Sequence, residues 1–127
     1  MAVLFTPVGK KSPTIAEAPM QYYPRAIQRG VIDLDELSQQ ISVSTTLTET
    51  DCQAVVYSLV NMVSRELEKG NIVRLGHLGS FQISVKGNAS PSPEMVTVQN
   101  IKSASIIYRP GVRFKKLLAS LKFSKKK

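Results

Sequence analysis

Leu75-Gly76-His77-Leu78-Gly79-Ser80-Phe81, then a turn-rich stretch, then Tyr108-Arg109-Pro110-Gly111 opening a basic amphipathic segment, is the part of this chain that decides its fold. Ile72, Val73 and Leu75 begin a strand, and Gly76 and Gly79 permit a sharp corner after it. Beyond the corner Phe81, Ile83 and Val85 alternate, the period of a strand with one apolar face. Gly87 to Glu94, carrying Pro91 and Pro93, reads as a loop or the tip of a two-stranded arm. Met95, Val96, Val98 and Ile101 lead the chain back, and Ile106-Ile107-Tyr108 re-enter the sheet. A last helix is expected from Pro110, where a missing N–H costs nothing. Its apolar stripe is Phe114, Leu117, Leu118 and Leu121, flanked by Arg113, Lys115, Lys116 and Lys122.

Upstream, the pattern is helical. Asp33 can cap a first helix with Glu36 three residues on, and Leu34, Leu37 and Ile41 follow at helical spacing. Residues 42 to 47 are a connector, after which Thr48-Glu49-Thr50-Asp51 supplies a second capping signal. A longer helix is expected from about Glu49 to Lys69, with Gly70 as its left-handed cap. Its apolar positions, Cys52, Val55, Val56, Leu59, Val60, Met62, Val63 and Leu67, cover more than one face, which predicts burial against two partners.

At 127 residues with 43% hydrophobic and 20% charged residues, the chain has the composition of a soluble globular domain. The net charge of +8 is unevenly spread. Residues 1 to 70 hold six Lys/Arg against eight Asp/Glu, a net −2, whereas residues 71 to 127 hold eleven against Glu94 alone, a net +10. Such a basic half favours an anionic partner, because clustered cations raise the local potential and speed association with polyanions. Cys52 is the single cysteine, which excludes an intrachain disulfide and CxxC-type metal sites and suits a reducing cytoplasm. The apolar run Met1 to Phe5 is too short for a signal-peptide core or a membrane span.

Residues 1 to 30 carry Pro7, Pro13, Pro19, Pro24, Gly9 and Gly30, and only Ala2 to Thr6 is expected to form a strand. Tyr22 and Tyr23 either dock this extension on the body or belong to a disordered leader. No phosphate-binding glycine loop, Ser/His/Asp set or paired-carboxylate motif occurs. His77, the sole histidine, stands apart from any cysteine or carboxylate cluster and reads as a corner residue. The sequence therefore points to no catalytic residue, no metal, no cofactor and no small-molecule substrate.

Helix, connector, long helix, strand, glycine corner, arm, strand and basic helix, in that order, resemble the bacterial HU/IHF histone-like DNA-binding family. Val73 to Phe81 is similar to that family's Gly-Phe-Gly-x-Phe corner, with Leu78 in the place of the first aromatic residue, Gly79 of the second glycine and Phe81 of the second aromatic residue. Tyr108-Arg109-Pro110-Gly111 is similar to its Phe-Lys-Pro-Gly start of the last helix. The resemblance runs from about Val31 to Phe123 and suggests an HU-related branch with an N-terminal extension. The chain departs from the pattern in having His77 for a corner glycine, in an arm that is slightly short, and in the arm's charge. Between Ser84 and Ser105 only Lys86, Lys102 and Glu94 are charged, where the family is rich in arginine.

The resemblance implies an α+β, HU-like fold: a helix-turn-helix pair, a three-stranded antiparallel sheet with a β-ribbon arm at about residues 84–105, and a C-terminal basic helix, forming an intertwined homodimer. It divides the chain into an extension (1–30), an HU-like domain (31–123) and a basic tail (124–127). The implied function is binding of duplex DNA with little sequence preference, bending or compacting it, in a nucleoid-associated, cytoplasmic, non-enzymatic and membrane-free role. An HU-like dimer with weakened DNA binding, serving as a structural or protein-interaction module, is the alternative. The expected DNA contacts are Lys86, Lys102, Arg109, Arg113, Lys115, Lys116 and Lys122, which need charge and reach alone. Pro91 and Pro93 stand as either turn residues or a wedge between base pairs.

Overall fold

The computed structural model describes residues 1–15 and 17–127. They divide into two compact units, one formed by residues 34–116 and the other by residues 1–33 together with 117–127.

The larger unit opens with α1 (Leu34–Ser44) and α2 (Glu49–Glu68). Thr48 and Asp51 form the expected capping box: the Asp51 N–H donates to Thr48 Oγ1 at 3.1 Å, and the Thr48 N–H to Asp51 Oδ2 at 3.3 Å. At the other end Gly70, with φ of +90°, closes a Schellman turn, donating to the Leu67 carbonyl while Asn71 donates to that of Glu66. Strands β3 (Val73–Arg74), β4 (Gly79–Gly87) and β5 (Ile101–Pro110) then form an antiparallel sheet in the order β3-β4-β5. Helix α3 (Val112–Ser120) follows. It begins two residues later than the sequence suggested. Pro110 is the last residue of β5, paired with Gly79, and the first helical bond runs from the Lys115 N–H to the Gly111 carbonyl.

The smaller unit is a second sheet that the sequence reading missed in large part. Its strands β1 (Val3–Lys10), β2 (Gln21–Ala26) and β6 (Phe123–Lys125) lie in the order β2-β1-β6. β2 is antiparallel and β6 parallel to β1. The extension thus forms two strands where one short strand was expected. Tyr22 and Tyr23 lie in β2 and remain 68% and 48% exposed. Residues 124 and 125 are likewise strand and no free tail.

The register explains how a proline-rich segment pairs at all. The Ile27 N–H donates to the Leu4 carbonyl, so alternate pairs Thr6↔Arg25 and Val8↔Tyr23 exchange hydrogen bonds and Pro7↔Pro24 falls at a pair that does not. The missing N–H of Pro24 faces the open edge of β2. That of Pro7 faces the side of β1 beyond the last β6 pairing, Phe5↔Lys125. A Cβ on Gly9 would be tight, 3.0 Å from Met20 Sδ and 3.1 Å from the Tyr22 ring, which pack over it.

The core of the single chain is small. Among the described residues Cys52 and Leu67 are the buried apolar side chains, and Ser38 is the buried polar one. The two faces of α2 expected to be covered are open at Val55, Leu59, Val60 and Met62.

Candidate functional site

The sheet of the larger unit separates two chemistries. Val73 pairs with Phe81 and Phe81 with Tyr108, while Arg74 pairs with Ser80 and Ser80 with Arg109. Successive side chains in a strand point to opposite faces. One face therefore carries the row Val73–Phe81–Tyr108, continued along the arm by Ile83 opposite Ile106 and Val85 opposite Ala104. Phe81 and Tyr108 hold their ring centroids 5.2 Å apart. The other face carries the row Arg74–Ser80–Arg109, then Gln82, Ser84 opposite Ser105, and Lys86 opposite Ser103.

At the base of the polar face the glycine corner meets the start of α3. Gly79, with φ of +127°, lies so close that an added Cβ would stand 2.2 Å from the Arg109 carbonyl oxygen. A Cβ on Gly111 would stand 2.3 Å from that of His77. The Tyr108 hydroxyl ties the corner to β5 by donating to the Leu78 carbonyl at 2.6 Å. This clamp shapes a cleft of 250 Å³ lined by Arg74, Ser80, Arg109 and Lys115. The first N–H groups of α3 lack intrahelical acceptors and add positive potential at the same end. Three cations around an open cleft suit an oxyanion such as a phosphodiester, a contact that needs charge and reach alone.

The arm ends in a built tip. The Asn100 side chain donates to the Asn88 carbonyl at 3.0 Å and to Ser90 Oγ at 2.8 Å, and accepts from the Thr97 N–H at 2.8 Å. Short 3-10 turns at Pro93–Met95 and Val98–Asn100 replace the return strand expected from Met95, so β5 starts only at Ile101. The tip presents apolar groups, with Met95 and Val96 exposed and Val98 82% exposed.

The expected contact residues are divided by the fold. Arg109 and Lys115 meet in the cleft, joined by Arg74, which the sequence reading passed over. Its signal was there in Val73-Arg74-Leu75, where the arginine occupies the polar phase of a short strand. Lys86 lies on the polar face further out. Lys102 is the extra residue of a bulge, since Lys86 pairs with Ser103 but Gly87 with Ile101. Arg113 and Lys116 are exposed on α3, Arg113 one turn before Leu117 and Lys116 further from the Phe114, Leu117 and Leu118 side. Lys122 lies past the end of α3 and belongs to the smaller unit. Pro91 is exposed in the bend before the tip and Pro93 opens its first 3-10 turn. His77 sits exposed in the corner's own 3-10 turn. No cluster of three or more His, Cys, Asp or Glu that could hold a metal occurs among the described residues. No described helix is long and apolar enough to cross a membrane.

This architecture, two capping helices, a cornered three-stranded sheet with an arm, and a basic last helix, is that of an HU-like protein. Residues 1–125 match the HU-HIG family, described as an HU domain fused to wHTH, Ig, or glycine-rich motif, and the chain belongs to that family. No match was found among curated proteins. Among solved structures the chain is similar to a crystal structure from Bacteroides vulgatus ATCC 8482 described as a "Putative bacterial DNA binding protein". The TM-score is 0.69 at 10% sequence identity, over 98% of this chain and 48% of that one. The likeness is one of fold, and the chain spans about half the length of that relative.

Proposed function

We propose that the chain is a non-enzymatic, nucleoid-associated DNA-binding protein of architectural type, acting as a homodimer that holds and bends or compacts duplex DNA with little sequence preference. The observation that carries this reading is the Arg74–Ser80–Arg109 row running into the Lys115 cleft, a cationic surface at the root of an amphipathic arm. Neutralising phosphates there releases counterions from the duplex, and shape and deformability decide the preferred sites. Residues 31–123 would supply this module. The description of the Bacteroides vulgatus relative as DNA-binding agrees with it.

A second copy is supported by what the chain leaves uncovered. It exposes 11086 Å², whereas two compact bodies of these sizes, held fully apart, would expose about 8,000 Å². An apolar hollow of 310 Å³ between α2 and the sheet, lined by Leu59, Val63, Leu67, Leu78, Phe81 and Ile106, offers a place for a partner's side chains. The protein-interaction reading of the arm retains one favouring observation, the apolar tip with Glu94 as its single charge between Lys86 and Lys102.

The triple variant R74Q/R109Q/K115Q tests the proposal in a mobility-shift titration at several salt concentrations. Three lost phosphate contacts per protomer should flatten the slope of log affinity against log salt by about 2.7 for each copy bound, at about 0.9 per contact. Unchanged affinity and slope would remove the cleft from the DNA interface.

A further inference from the structure

The fold gathers most of the net positive charge into the unit that the sequence reading treated as an accessory. Residues 1–33 and 117–127 hold eight Lys/Arg (Lys10, Lys11, Arg25, Arg29, Lys122, Lys125, Lys126, Lys127) against Glu17 and Asp33, a net +6. Residues 34–116 hold nine Lys/Arg against seven Asp/Glu, a net +2. Along the sequence this is invisible, because the two halves of the smaller unit come from opposite ends of the chain.

Within that unit most of the cations along the sheet share one face. β1 pairs Thr6 with Arg25, Val8 with Tyr23 and Lys10 with Gln21 on one side, and Leu4 with Ser124 on the other. The ladder extends to Lys122 and Lys126, since the Val3 N–H donates to the Lys122 carbonyl and the Lys126 N–H to that of Phe5. Strand alternation then puts Lys10, Arg25, Lys122 and Lys126 on one face with Tyr23, Thr6, Gln21 and Ser124, around the apolar Leu4 and Val8, and no carboxylate lies among them. The opposite face carries Val3, Phe5, Pro7, Tyr22, Pro24 and Phe123, with Lys125 beside Phe5 at its end.

We propose that this basic face, Lys10, Tyr23, Arg25, Lys122 and Lys126, is a second nucleic-acid-binding surface that takes the phosphodiester backbone of a strand. Five arguments support it. The row Arg25–Thr6–Lys126 repeats the cation–hydroxyl–cation order of Arg74–Ser80–Arg109 on the other sheet. Lys10 and Lys122 lie four residues to either side of that row along the strands, which makes a cationic strip roughly 26 Å long, the scale of a tracked backbone. Tyr23, with Lys10 Nζ 6.0 Å from its ring centroid, gives the strip an aromatic group on which a base or sugar can rest. Next to it lies a hollow of 480 Å³ with Lys10, Lys11, Ser12 and Gln21 in its wall. The edges of this sheet are poor docking sites for another strand, one interrupted by Pro24 and the other ending in lysines, so a partner meets its face.

The surface stands independently of the cleft reading above, and the test keeps the two apart. The full chain and its K10Q/R25Q/K122Q/K126Q variant are titrated with a fluorescent 30-base-pair duplex and with a 30-nucleotide single strand, at several salt concentrations. The proposal expects the salt slope to flatten by about 3.6 on duplex, or about 2.8 on single strand, at 0.9 or 0.7 per contact. The charge-retaining K10R/K122R/K126R variant should behave as the parent. Whichever nucleic acid loses more affinity identifies the physiological form. Loss in this variant with R74Q/R109Q/K115Q unaffected would leave the sheet surface standing and refute the cleft. Because four changes could perturb folding, lysine acetylation of the unmodified protein is mapped with and without saturating DNA. Protection of Lys10, Lys122 and Lys126 supports the surface. Their full reactivity beside a protected Lys115 would overturn it, as would equal competition by vesicles of phosphatidylserine and phosphatidylcholine.

Discussion

Two residues show what single positions contribute and how differently they read. Gly79 is legible in sequence as a corner glycine, and the structure adds the reason no other residue fits: a positive φ and a carbonyl 2.2 Å from where a Cβ would be. Gly79→Ala should cost at least about 2 kcal/mol, combining left-handed strain with a forced shift of β5. Urea denaturation measures this, and a midpoint equal to the parent's would show the corner to be pliable. Ser38 is the opposite case. Its Oγ is buried with no hydrogen-bond partner, yet in sequence it stands in the polar run Ser38-Gln39-Gln40 and gives no hint of burial. Replacing it by alanine removes a desolvated hydroxyl and should stabilise the protein by about 1 kcal/mol. A lower midpoint would mean that the hydroxyl finds a partner in solution, such as one on a second copy.

At the scale of elements, the helices were readable because each carries its own punctuation. Thr48 and Asp51 start α2, and Gly70 ends it, by local hydrogen bonds that need no tertiary context. The same turn holds an acid. Asn71 Nδ2 donates to Glu66 at 2.8 Å and Lys69 lies 3.3 Å away, and these contacts, Asn71 foremost, lower the Glu66 pKa from its ordinary 4.5. A depressed folded pKa means the contribution is present in full above the unfolded value and is lost as pH falls through the folded one. The stability difference between the parent and Glu66→Gln should therefore narrow as pH drops below about 4.5. A difference constant from neutral pH to pH 2 would show that the charge on Glu66 contributes nothing. β2 and β6 were not readable for a matching reason: neither has local punctuation. Pro24 argues against a strand until its open edge is known, and Phe123–Lys125 is too short to signal before β1 is there to pair with it.

For the whole molecule, the arm, the corner and the basic last helix were legible in order. What was not legible was the distribution of charge in space, because it depends on the chain's two ends meeting in one sheet. Arg74 was missed for a smaller version of the same cause, since its place beside Arg109 is set by the β3-β4-β5 register. The uncovered apolar surface of α2 and the sheet adds a partner copy to the account. Dimerisation and DNA binding are thus the joint central claim, and one measurement addresses both. Sedimentation velocity of the intact protein, alone and with a fluorescent duplex at low and moderate salt, reports copy number and binding together. The account predicts a dimer at micromolar concentration that co-sediments with the duplex as two copies per site, more weakly as salt rises. A folded monomer that leaves the duplex sedimenting freely at low salt would contradict it.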